Sequence, residues 1–136
     1  MAGDKLNWAD IWVLKSIYVC IRDGDFDLSG VIAVADGINH AILTSEESNN
    51  AVYRLKTHAL IEQDGSRLLL TKKAVTLFEK HEKKGVRRRG NTMEKELNVE
   101  GYSSGYDPNI LDIPEEFVSK EKFKDAVKQY LDRNNF

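Results

Sequence analysis

One cysteine, Cys20, in 136 residues excludes an intrachain disulfide and leaves no C-x-x-C pattern for redox or zinc chemistry. It lies in the apolar run from Ile17 to Ile21, where a thiol reads as packing rather than as a nucleophile, and a reducing, cytoplasmic compartment is expected. No apolar stretch approaches the length of a membrane helix, and Met-Ala-Gly-Asp-Lys lacks the basic region and apolar core of a secretion signal, so no membrane role is expected. Gly-rich phosphate loops, a nucleophile elbow and paired catalytic carboxylates are all missing, which leaves nothing on which to base an enzyme or a bound cofactor. His40, His58 and His81 form no i, i+4 pair and have no nearby cysteine, so no metal is expected.

What is present describes one folded domain. Apolar residues make up 41% and charged residues 31%, a globular balance, and the net charge of -2 conceals an asymmetry. Residues 46 to 90 carry eleven Lys or Arg against six Asp or Glu, whereas residues 91 to 136 carry six against ten.

From Asn7 to Arg22 the residues Trp8, Ile11, Trp12, Val13, Leu14, Ile17, Tyr18, Val19 and Ile21 predict a helix capped by Asn7. Its apolar side chains surround nearly the whole circumference, so it needs cover on more than one side. Asp23-Gly24-Asp25 ends it, and Asp27 or Ser29 caps a second helix that carries Val31, Ile32, Ala35 and Ile38 to about Asn39. Thr44-Ser45-Glu46-Glu47 is a capping box for a third helix. Along it Ser48, Ala51, Val52, Leu55 and Ala59 share one face, and Glu46, Asn49, Asn50, Tyr53, Arg54 and Thr57 share the other.

Asp64-Gly65-Ser66 between Leu60-Ile61-Glu62-Gln63 and Arg67-Leu68-Leu69-Leu70 predicts a tight hairpin. Thr71 then caps a fourth helix to about Lys84, and Gly85 stops it. Residues 85–112 read as a linker or mobile arm. Within the final segment, 113–136, a helix over 119–133 capped by Ser119 places Phe123, Ala126, Val127, Tyr130 and Leu131 in one stripe. The first helix is the natural partner for that stripe, either within the chain or across a homodimer.

The order helix, helix, capped helix, hairpin, helix is that of a winged helix-turn-helix, a mainly α fold with a small β-hairpin wing, here over residues 7–84 and followed by a C-terminal helix. Ala51 to Ile61 followed by Leu70-Thr71 resembles the signature of MarR-like and PadR-like transcriptional regulators, and Gly37 to Ile42 before Thr44 and Glu47 is similar to a pattern in small winged-helix proteins without known activity. The resemblance implies binding to double-stranded DNA, with the third helix in a major groove and the wing against phosphate or the minor groove. On it Asn49, Asn50 and Arg54 become base-reading candidates. Thr44, Ser45, Tyr53 and Thr57 line the same helix, and Arg67, Lys72, Lys73, Arg87, Arg88 and Arg89 are candidates for phosphate. Glu46 and Glu47 at the DNA-facing end, with the acidic tail, motivate the alternative of a protein-protein interaction module without DNA binding.

Overall fold

A computed structural model describes residues 5–83, 96–97 and 116–133. Among them run α1 (Trp8–Arg22), α2 (Leu28–Asn39), α3 (Ser45–Thr57), β1 (Ile61–Asp64), β2 (Arg67–Leu70), α4 (Lys72–Lys83) and α5 (Lys120–Arg133). This is the expected helical fold with a two-stranded hairpin and a terminal helix. No described helix is long and apolar enough to cross a membrane. The expected stop at Gly85, most of the 85–112 arm and residues 113–115 lie outside the described residues.

Local chemistry sets each helix start. Asn7 and Asp10 form a reciprocal box: Asp10 N–H donates to Asn7 Oδ1 at 3.0 Å and Asn7 N–H to Asp10 Oδ2 at 2.9 Å. Thr44 and Glu47 do the same for α3, at 3.1 and 2.8 Å. Asp27 occupies the cap position of α2 but turns its carboxylate to the Ser29 hydroxyl, 2.9 Å away, instead of to a backbone amide. Thr71 and Ser119 accept from Ala74 and Lys122 N–H, each at 3.2 Å, and so start α4 and α5.

The hairpin pairs Ile61 with Leu70 and Asp64 with Arg67, leaving Gly65-Ser66 as a two-residue turn. Only Gly65 has positive φ, 63°, which puts the glycine at the first central position, as type II′ turns require. The passage from α3 to the hairpin is equally tight. Leu60 N–H reaches Leu55 C=O at 2.9 Å and Ala59 N–H reaches Lys56 C=O at 3.0 Å, the two bonds of a Schellman end, with Ala59 at φ 58°. An alanine there carries Cβ strain that glycine lacks. Ala59→Gly is expected to raise stability by about 1 kcal/mol, because Ala59 is exposed and loses no packing. A urea melt in which the variant is weaker than the parent would refute that account of the turn.

The core answers the demand of α1 for cover on several sides. Leu6, Ile11, Trp12, Val13, Leu14 and Ile17 pack with Val31, Ile32 and Ala35 of α2, with Ala51, Val52 and Leu55 of α3, and with Leu68 of β2. Tyr18 closes the side toward α4 by stacking on Phe78, with centroids 4.0 Å apart. The stripe on α5 is where the expectation of a first-helix partner needs correcting. Phe123 and Ala126 are buried chiefly against α2, with α3 touching the same helix, and Tyr130 O–H donates to Asp36 of α2 at 2.5 Å. Leu131, at the far end of the stripe, is 49% exposed. Helix α1 is already enclosed by α2, α3 and the hairpin, which leaves the outer side of α2 as the apolar surface open to α5.

Candidate functional site

The polar face of α3 divides in two. Asn49, Asn50 and Arg54 are 4%, 6% and 2% exposed, while Glu46, Tyr53, Lys56 and Thr57 are open to solvent. The first three, expected from the sequence to read bases, are therefore enclosed by the chain's own fold and present almost no side-chain surface to solvent. Different neighbours enclose Arg54 and Asn49. Residues five apart on a helix point about 140° apart, so Arg54 faces α1 while Asn49 faces the segment that leads into α5.

Arg54 Nη1 lies 3.2 Å from Asp10 Oδ1, and both side chains are almost wholly buried. Burial pushes the Asp10 carboxyl up to about 6, against the pull of the Asn7 N–H and the Arg54 guanidinium, which favour the ionised form. This pair fixes the rotation of α3 against α1.

Asn49 grips a peptide group. Its Nδ2 donates to Val118 C=O at 2.9 Å, and its Oδ1 accepts from Val118 N–H at 2.9 Å. A side-chain amide has the same donor and acceptor as a backbone unit, so this pair satisfies Val118 as a neighbouring strand would. The Val118 side chain is buried, and the Phe117 ring meets Phe26 edge-on at 6.1 Å between centroids. Phe117 separates two clefts. One, of about 290 Å³, is lined by Val52, Tyr53, Lys56, Thr57 and Gln63 between α3 and the hairpin. The other, of about 280 Å³, is lined by Leu28, Ser66, Arg67 and Lys122 beside the start of α2.

Comparison of the chain with protein-family models, curated proteins and solved structures finds no match.

The remaining candidates have assigned surroundings. The Thr44 hydroxyl caps α3, half-exposed Ser45 opens it, and Thr57 Oγ1 donates back to Tyr53 C=O at 2.9 Å. Lys56 Nζ donates to Gln63 Oε1 at 2.9 Å, tying α3 to the hairpin. On the turn, Arg67 pairs with Asp25 at 2.6 Å, both side chains exposed. Lys72 is exposed at the start of α4, and Lys73 Nζ donates to His58 C=O at 2.9 Å. Glu62 and Asp64 are exposed on β1, so the hairpin carries acids beside its bases. Arg87, Arg88 and Arg89 lie outside the described residues.

Sequence reasoning missed Asp10, Phe26, Gln63 and Val118. Asp10 alone had a usable signal, an acid set among Trp8, Ala9, Ile11 and Trp12. Among the described residues no three His, Cys, Asp or Glu side chains gather as metal ligands. Burial, with the nearby carboxylates adding to it, raises the Cys20 thiol above its ordinary range and makes it a weaker nucleophile.

Proposed function

We propose that this chain is a winged-helix protein-interaction module, with a binding role and no catalysis, rather than a reader of duplex DNA. The observation that carries the reading is the burial of Asn49, Asn50 and Arg54, the side chains on α3 best suited to base edges. What α3, the hairpin and the start of α4 leave exposed mixes Lys56, Arg67, Lys72 and Lys73 with Glu46, Glu62 and Asp64, and the first turn of α3 presents the Glu46 carboxylate where a DNA phosphate would approach. Proteins, unlike duplex DNA, present both charge signs and free peptide groups. On this reading the likeness to MarR-like and PadR-like regulators is one of architecture. A cytoplasmic setting accompanies it, supported by the lone, half-buried Cys20. A homodimer is not required, because α1 and most of the α5 stripe find cover within the chain.

The test is fluorescence anisotropy with a labelled random duplex at low and moderate salt. No binding at micromolar protein is expected under either condition. Binding that weakens steeply with salt and is lost on Lys72→Ala with Lys73→Ala would overturn the reading in favour of DNA.

A further inference from the structure

We propose that the cavity between α4, the end of α3 and the residues just ahead of α1 is a binding site for a phosphate monoester of nucleotide size. The phosphate lies between Lys5 and Lys73, and the organic body lies over Leu77.

The site is built largely from one side of α4. Lys73, Thr76, Leu77 and Lys80 recur at i, i+3, i+4 and i+7, so all four project from a single face of that helix, and they line a cavity of about 820 Å³. His58, which closes α3, and Lys5, ahead of α1, add to its lining. The volume falls within the range of about 300–1,000 Å³ typical of small-molecule sites and exceeds what a bare inorganic anion fills.

Charge selects the ligand. Among the described lining residues three lysines stand against one glutamate, a net +2. That acid, Glu96, is already paired with Lys80 and His81, each at 3.0 Å, and the hydrogen bond from Lys80 holds its carboxyl below the usual range. Lys5 and Lys73 have no carboxylate partner among the described residues. A phosphate monoester carries about −1.5 to −2 at pH 7 and so matches the two uncompensated ammonium groups. A carboxylate carries less charge and is best met by the fork of an arginine, which the described lining lacks.

Two further features set the pose. Lys73 Nζ donates to His58 C=O at 2.9 Å, which places its charge at the negative end of α3 and leaves two of its three N–H groups for a ligand. Thr76, exposed one turn along the same face, supplies a hydroxyl donor. Beyond it buried Leu77 and half-buried Leu97 form an apolar wall for the organic body, and the Lys80–Glu96 pair offers a donor and an acceptor to its hydroxyl groups.

The test is titration of the full chain with AMP, adenosine and inorganic phosphate, followed through backbone amide NMR shifts. AMP is expected to bind with a Kd on the order of millimolar, shifting Lys5, His58, Lys73 and Thr76, and about tenfold more tightly than inorganic phosphate or adenosine. Lys5→Gln with Lys73→Gln should weaken AMP about tenfold or more, whereas Lys73→Arg, which keeps the charge, and Lys124→Gln, exposed on α5, should leave it within about twofold. Lys5 has no partner among the described residues, so Lys5→Gln alone, with a loss of about threefold, carries the test should the double variant melt early. No shift at those amides, or affinity that the glutamine variants leave unchanged, overturns the site. Inorganic phosphate as tight as AMP reduces it to an adventitious ion only, and a phosphoserine peptide that outcompetes AMP makes the ligand a modified protein; either result overturns the proposal. All of these outcomes leave the protein-module reading standing, since duplex DNA tests it separately.

Discussion

Replacing Arg54 with leucine is expected to destabilise the protein by about 3–5 kcal/mol at pH 7, because a buried carboxylate loses its partner. The loss should shrink as the pH falls. In the parent, the Asp10 carboxyl sits at about 6 when folded, against an ordinary 3.8. The folded state therefore binds the proton more tightly, and the contribution of Asp10 to stability is full below about 3.8 and declines as the pH rises through about 6. Arg54 holds that value down, so its removal raises the folded value further and leaves the variant most disadvantaged near neutrality. Urea unfolding of both proteins at pH 5 and 7 checks this. A difference in stability that is the same at the two pH values would show that Asp10 is not the group left charged. Adding Asp10→Asn to the leucine variant should flatten the pH dependence, since the pair then contains no titrating group.

Signals confined to a few neighbouring residues were legible in the sequence, and those that depend on distant contacts were not. Thr44-x-x-Glu47 located the start of α3 because a capping box is a reciprocal bond within one turn. Asp64-Gly65 located the hairpin because the positive φ that a tight turn needs is met by Gly65 within the turn itself. Periodicity separated the two faces of α3 but could not say that the polar one is half covered. The residue covering Asn49 is Val118, 69 positions away, and asparagine suits a solvated face as well as a peptide clamp. Likewise the α5 stripe announced that it needed a partner without naming α2. An apolar stripe is complementary to any apolar surface, and the choice depends on which surface the rest of the chain leaves uncovered. Asp10 carried a local signal, an acid among apolar neighbours, but its partner could not be read, because Arg54 comes from a different helix.

Trp12→Ala is expected to cost about 3–5 kcal/mol, the range for removing a large buried aromatic. Against a total stability of about 5–15 kcal/mol, that is enough to unfold a measurable fraction of the chain at physiological temperature. Trp12 is nearly inaccessible, stacks on Trp8 at 5.5 Å and donates its Nε1–H to Ala35 C=O of α2 at 2.9 Å. The effect reaches the clefts beside Phe117 through α2, since Leu28 at its start lines one of them and its outer side carries α5. Trp12→Phe separates packing from hydrogen bonding. It keeps much of the apolar volume and loses the Nε1–H bond, whose acceptor is a carbonyl within a helix, with part of the indole ring, so a cost of about 1–2 kcal/mol is expected. Urea denaturation of the two variants decides between the contributions. If phenylalanine proves as costly as alanine, the bond to Ala35 rather than the filled volume holds α1 to α2.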